Sequence, residues 1–571
     1  MNNKLYKIFI GLALTASLSS CEEDFEAVPL EQYTLDYIFS TADSTGVEAR
    51  KYLNTIYSYM RNGHNRVGGD YLDAASDDAI SSNTSNTDVF RLVTGAYNET
   101  WTVPADMQWG YYYEAIRRST EFITNIEVVP VQETYNGIPL AKVWKAEVRF
   151  LRAFFYFNLV KRYGGVPLMG DKVYGLEDDL EIPRRSFEEN INYIVSELDA
   201  VQDSLRTFPV SNQQANSHVV TREAALALKS RVLLYAASPL FNGENIEPGN
   251  PLTGYADYSA DRWKNAADAA RVLMEEGVFS LVPNFKDVFI TEGNTEVIFF
   301  RSGGENEGVE TDNGPLGFVG DALGFGRTSP TQNLVDAFPF VDGKSIDDPD
   351  SDYTYDPNNP YANRDPRLDY TVLHNGSQWL NTTLETHEGG NNNPLIAAQN
   401  TRTSYYLRKF MGNFENRNVY ESTVHDWVVF RYAEILLNFA EAQNEYAGPD
   451  QEVYQVLKDL RARAGIEAGD DGMYGLKENM TKDEMRQAIH NERRIEMAFE
   501  EQRYWDIRRW KVAEDVFSEP LYGMNIIKSL TATTYNVVPV VTASFEERRY
   551  LYPIPYEEVI KNENMVQNPG W

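Results

Sequence analysis

One segment limits the fold more than any other: WKAEVRFLRAFFYFNLVKRYGG, residues 144–165. Trp144, Val148, Leu151, Phe155 and Leu159 step by three or four along one helical face, and Phe150, Phe154 and Phe157 widen it. A helix that is apolar on nearly every side belongs inside a stack of other helices, not on a surface. Gly164, Gly165 and Pro167 end it. Neighbours for the stack follow in the chain. Ser186 and Glu189 form a capping box at the head of the next helix. TREAALALKSRVLLYAAS puts Ala225, Leu228, Val232 and Tyr235 on one face, and DRWKNAADAARVLMEEG runs to Gly277. FRYAEILLNFAEAQNEYAG lines up Tyr432, Ile435, Leu436 and Phe439 and stops at Gly448-Pro449. QEVYQVLKDLRARAG comes next, and Thr481 with Glu484 caps a helix expected to carry IHNERRIEMAFEEQRYWDIRRW.

Residues 62–108 and 291–425 have a different texture, rich in Gly, Asn, Asp, Pro and Thr with short apolar pieces such as VIFF at 297–300. They read as loops with a few short strands. The expected plan is mostly α: helical pairs as a scaffold, with long irregular excursions laid over it. It divides into an N-terminal part over about 21–280, a loop-rich part over about 281–425 and a C-terminal helical part over about 426–571.

The start of the chain reads as a signal. Lys4 and Lys7 precede an apolar run, Ile8 to Leu18, which is too short to span a bilayer. LSSC then brings in Cys21, the single cysteine among 571 residues. The expectation is a lipoprotein signal over residues 1–20, cleaved so that Cys21 carries lipid; two or more acyl chains anchor stably. With one cysteine no internal disulfide forms, so packing alone holds the fold. A net charge of −33 argues against nucleic acid, whose phosphates demand basic surfaces.

Catalytic signatures are missing. There is no H-E-x-x-H and no phosphate-binding loop, and the six histidines have no ligand spacing. GFVGDALGFGR has glycines without a strand-to-helix setting. With 85 acidic residues, pairs of carboxylates are uninformative about glycoside hydrolysis. Glu492, Arg493, Glu496, Glu500, Arg503 and Asp506 alternate in sign at helical spacing, the pattern of ion pairs. No cofactor is expected. In DDPDSDYTYDPN, Asp348, Asp350 and Asp352 sit like the first ligands of a calcium loop, but Tyr353 takes the glycine position and Asn359 replaces the closing glutamate.

Several strings together resemble one family. They are Cys21-Glu-Glu-Asp-Phe, VRFLRAFFYFNLVKRYGGVPL, SPTQNLVDAF at 329–338, NRDPRL at 363–368, RYAEILLNFAEA at 431–442 and RARAG at 461–465, followed by NERRIEMAFEEQRYWDIRRW and the closing YPIP and QNPGW. In this order and across the whole mature chain they resemble the SusD/RagB family of Bacteroidetes outer-membrane lipoproteins. Thr120 stands where that family usually has Asn, and Trp571 where Tyr is common. The resemblance implies a single SusD-like domain over 21–571 with four tetratricopeptide-like helix pairs. It implies a non-enzymatic protein on the cell exterior that captures oligosaccharides and delivers them, as a lid, to a SusC-like TonB-dependent β-barrel transporter. Glu22, Glu23 and Asp24 resemble the family's surface-export signal. Some relatives bind peptides instead. A surface glycoside hydrolase is the alternative from a different class.

Sugars stack on exposed aromatic rings and need fixed polar partners beside them. Of nine tryptophans, Trp144, Trp263, Trp505 and Trp510 lie within helices, Trp109 and Trp427 adjoin buried runs, and Trp571 closes the chain. Trp101 in YNETWTVP and Trp379 in HNGSQWLN are left, with Trp101 preferred because loops before this helix contribute to ligand binding in the family. Tyr71 and Asp73 are expected neighbours, with Phe325 and Arg327 closing the site.

Overall fold

Apolar stripes on successive helices force a stack, and the computed structural model shows one. It describes residues 34–83, 87–209, 218–394 and 401–571; Cys21, its flanking acids and the signal lie outside these. The stack runs through α1 (Val47–Ser58), α3 (Trp109–Asn125), α4 (Leu140–Tyr163), α5 (Phe187–Val201), α6 (Arg222–Ala237) and α7 (Ala260–Glu275). A short α2 (Asp88–Thr94) lies between the first two. The chain then leaves for some 150 residues, roughly ten times an ordinary long loop, and returns as α8 (Tyr432–Ala447), which packs directly on α7. Then come α9 (Gln451–Ala464), α10 (Lys482–Glu496), α11 (Arg503–Arg509) and, near the end, α12 (Tyr556–Lys561). The fold is mostly helical, as expected. Among the described residues no helix is long and apolar enough to cross a membrane.

α4 is the centre the sequence requires: Val148, Phe150, Leu151, Phe155, Tyr156 and Leu159 are all fully buried. Both predicted capping boxes are present, Ser186 with Glu189 and Thr481 with Glu484. Strands are short and pair in twos. β1 (Ala79–Ser81) pairs with β3 (Thr328–Pro330), so the 62–108 excursion is fastened to the 291–425 excursion. β2 (Val297–Arg301) pairs with β4 (Trp427–Arg431), closing the long excursion at its base. β5 (Leu521–Lys528) and β6 (Thr533–Val541) form a hairpin.

Charge, too, fastens the excursion to the scaffold. Glu296, Asp365, Arg367 and Lys409 from the excursion meet Arg431, Arg461, Arg463, Glu492, Glu496 and Glu500 from the helical part. These are five acids and five bases, and no side chain among them is more than 8% exposed. Arg431 alone reaches Glu296 at 2.8 Å, Glu496 at 2.7 Å and Glu500 at 2.7 Å. The alternating acids Glu492, Glu496 and Glu500 are therefore held in buried ion pairs.

This network also breaks the expected helix. α10 ends at Glu496 and α11 starts only at Arg503. The Arg431 guanidinium and the Lys409 ammonium donate to the Glu496 carbonyl, and Lys409 also donates to the Ala498 carbonyl. The Asp73 carboxylate takes the Phe499 N–H at 3.0 Å. Backbone groups captured by side chains need no helical partners, and Phe499 and Glu501 turn to φ +64° and +56°.

Two outcomes follow from the network. Removing one partner of a buried pair strands the other charge, at a cost of about 3–5 kcal/mol; Glu496→Gln should lower urea-unfolding stability by that amount. Burial alone would raise Glu441 and Glu496, but arginines outweigh it, Arg509 holding Glu441 at about 2 and Arg463 and Arg431 holding Glu496 well below the usual range. Both then stabilise the fold fully above the unfolded value of 4.5 and lose that contribution as pH falls through their folded values. Asp70 has the opposite sign, pushed up to about 7 by burial, so stability rises as pH falls below that point. The urea midpoint should pass through a maximum near about pH 5 and fall steeply below it.

Candidate functional site

Trp101 stands on a tight turn that its own indole does not hold. The Asn98 carboxamide oxygen accepts the Thr100 N–H at 3.0 Å, the Trp101 N–H at 2.7 Å and the Thr100 hydroxyl at 2.9 Å. From α2, the Arg91 guanidinium donates to the Trp101 and Thr102 carbonyls at 2.8 and 2.7 Å. It also lies 4.1 Å from the centre of the Trp101 ring. One ring face thus rests on a cation and the rest is open, and Trp101 is 50% exposed. The other eight tryptophans are buried or, for Trp571, half-buried. The sequence reading of Trp101 as an exposed loop aromatic agrees with this geometry.

Arg327 is linked to the Trp101 turn through a run of contacts. Arg91 is 3.7 Å from Asp88. Asp88 comes within 3.4 Å of where a Cβ on Gly68 would be, and Arg327 Nη1 within 2.3 Å of where one on Gly69 would be. Gly69 has φ +98°, so only glycine fits both the turn and the arginine lying on it. Arg327 pairs with Asp312 at 3.1 Å, and Asn65 donates to the same carboxylate at 2.9 Å. Phe325 is half-buried in the adjoining loop, its N–H bonded to the Thr311 carbonyl. Beneath Arg327 lies the buried Asp70, whose carboxylate accepts the Thr328 hydroxyl at 3.3 Å.

The two expected neighbours and the second candidate aromatic do not reach this surface. Tyr71 is fully buried, stacked on Phe410 at 5.6 Å with its hydroxyl 2.7 Å from His64 Nδ1. Asp73 is fully buried under Phe499. Trp379 is fully buried too, its indole N–H donating to the Tyr420 hydroxyl at 3.1 Å. The reading took position on a loop for exposure. These excursions pack against one another and carry a core of their own, which those rings fill. Tyr71 and Asp73 support the site from below and present nothing to a ligand outside.

Tyr556 was missed. The first residue of α12, it is 46% exposed, and its N–H bonds the Glu99 carbonyl at 2.9 Å, beside the Trp101 turn. The signal was Pro555, which marks the start of a helix at Tyr556. At the acidic turn, the Asp342 carboxylate accepts the Ser351 hydroxyl and the Asp352 N–H, and Asp348 accepts the Asp350 N–H. Among the described residues no three His, Cys, Asp or Glu side chains come together as a metal site.

This geometry makes Trp101 the readily quenched tryptophan. Trp101→Phe should remove most of the acrylamide-accessible emission and leave the melting temperature nearly unchanged, because Asn98 and Arg91 hold the backbone.

Comparison with known proteins adds context. Residues 295–571 match the model described as SusD family, and residues 39–234 match one described as starch-binding associating with outer membrane. A SusD-like protein P2 of Formosa agariphila is 26% identical over 474 residues, covering 81% of this chain and 80% of that protein. A SusD-like protein of Bacteroides fragilis superposes with a TM-score of 0.75 at 25% identity, covering 95% of this chain and 100% of the other. A second solved structure from that organism, a SusD-like carbohydrate binding protein, gives 0.72 at 24% identity, covering 92% and 99%.

Proposed function

This chain belongs to the SusD/RagB family, and we propose that it is a surface-exposed lipoprotein that captures oligosaccharides at the Trp101–Arg327 face and delivers them to a TonB-dependent transporter, as its lid. The observation that carries the reading is the mounting of Trp101. An amphipathic ring, half exposed and backed by Arg91, stands on a turn that is already rigid. Such a ring stacks on the C–H face of a sugar without further ordering of the loop, and ordering a loop on binding weakens affinity. Arg327 and Asp312 supply a donor and an acceptor for hydroxyls, and Tyr556 adds a second ring beside the turn. The name of the B. fragilis structure, a carbohydrate binding protein, favours glycan over peptide.

Trp101→Ala should weaken glycan binding at least tenfold, about 1.4 kcal/mol, with an unchanged fold. A full-affinity variant rejects the site. Binding is distinguished from hydrolysis by incubating the protein with its glycan and recovering the glycan uncut. The anchor rests on Cys21: Cys21→Ser should abolish lipid labelling and release the protein from the membrane fraction, while replacement of Glu22, Glu23 and Asp24 by Ala should keep the lipid and reduce protease accessibility on whole cells. Gentle detergent extraction of the native protein should bring a large β-barrel with it; recovery of the monomer alone counts against the lid.

A further inference from the structure

A groove of about 890 Å³ lies on the helical scaffold, between α7, α8, α10 and residues 510–516. That is within the range of small-ligand sites, about 300–1,000 Å³. No residue that lines it comes from the 62–108 or 291–425 excursions, so it is separate from the Trp101 face. Its aromatic floor is fixed. His490 stacks on Trp510 with ring centres 3.6 Å apart and planes 11° apart. The Glu441 carboxylate accepts the Trp510 indole N–H at 2.8 Å while bound to Arg509, so the indole cannot turn. Tyr258 is 58% exposed, and a Cβ on Gly243 would come within 3.3 Å of it.

The basic side chains along the groove are already paired. Glu445 pairs with Arg486 at 2.6 Å and Lys482 at 3.4 Å, and Arg494 and Arg503 each hold Asp77 at 2.8 Å. Four lining groups have no hydrogen-bond partner among the described residues: the Tyr258 hydroxyl, the Trp263 indole N–H, the Gln487 amide and the His490 imidazole. All four are neutral, since burial pulls His490 down to about 3. The two unpaired acids, Glu244 and Asp515, are exposed and repel anions. Free neutral donors and acceptors beside a fixed aromatic floor match a polyhydroxylated, uncharged ligand.

We infer that this groove is a second carbohydrate site, which takes a neutral sugar against Tyr258 with Trp263, Gln487 and His490 as hydrogen-bond partners. The test is hydroxyl-radical footprinting of the full chain, and of its Trp101→Ala variant, with a panel of neutral hexaoses of glucose, galactose, mannose and xylose at millimolar concentration. At least one hexaose should protect Tyr258 equally in both proteins. In the Trp101→Ala background, Tyr258→Ala and Gln487→Ala should each weaken that sugar roughly tenfold by calorimetry; both side chains are exposed, so neither change threatens folding. Protection by no hexaose, protection by uronate oligosaccharides alone, or protection lost with Trp101 would overturn the inference. A failure of Trp101 to bind glycan leaves Tyr258 protection intact, so the two sites fail separately.

Discussion

Arg431 bound to three buried carboxylates is the contact on which the rest depends. It sits where β4 runs into α8, at the point where the long excursion rejoins the scaffold. Taking so many charges out of water is expensive, and only complete pairing offsets it. Five acids against five bases meet that condition, and the pairing is selective. A hydrophobic seam would have tolerated sliding by a residue, whereas a guanidinium fork matched to carboxylates does not. With no disulfide available, this is how a chain that wanders for some 150 residues, far beyond an ordinary loop, is returned to one register.

The same network positions the loops that carry the proposed ligand face. By stopping α10 at Glu496 it frees the Phe499 N–H, which Asp73 then takes. Asp73 and Tyr71 flank Leu72 at the base of the 62–108 excursion, and Tyr71 packs on Phe499 and Phe410. From there β1 pairs with β3, and Arg327 directly precedes β3. Arg66 adds a second tie, binding Glu501 at 2.7 Å and Asp106 at 2.8 Å, and so joins the broken helix to the loop just after Trp101. Trp101 and Arg327 come from places some 225 residues apart, a separation whose closure is entropically unfavourable, and ionic contacts under both excursions help to hold their loops together.

How much of this is legible in the sequence depends on how local the cause is. The helices, their caps and the buried character of α4 follow from residues within a turn or two of each other, and the sequence shows them. Alternating charges on α10 could be read as ion pairs because both signs are present in the segment, though their partners Arg367, Arg431 and Lys409 were not visible. The break after Glu496 was illegible for that reason: it is made by Arg431, Lys409 and Asp73, none of which is nearby in the chain. Exposure on the excursions was half legible. Trp101 sits among Asn98, Glu99 and Thr100, and among the described residues only Arg91 lies against its ring. Trp379 has equally polar neighbours, yet Tyr420 and Phe414 close over it, and no local pattern says so.

One device recurs at both aromatic surfaces. A charged group that is itself tied down holds the tryptophan, and the ring's remaining face or its surroundings stay open. At Trp101 the group is Arg91, fixed by three backbone carbonyls and lying against the ring. At Trp510 it is Glu441, fixed by Arg509 and holding the indole N–H. In both, the energetic cost of orienting a large side chain falls on folding and not on binding. That matters for a ligand such as a sugar, whose hydroxyls exchange hydrogen bonds with water for similar ones with protein and so contribute little net. Affinity for such a ligand must come from stacking area that is in place before it arrives, and the charges that fix the fold supply that readiness.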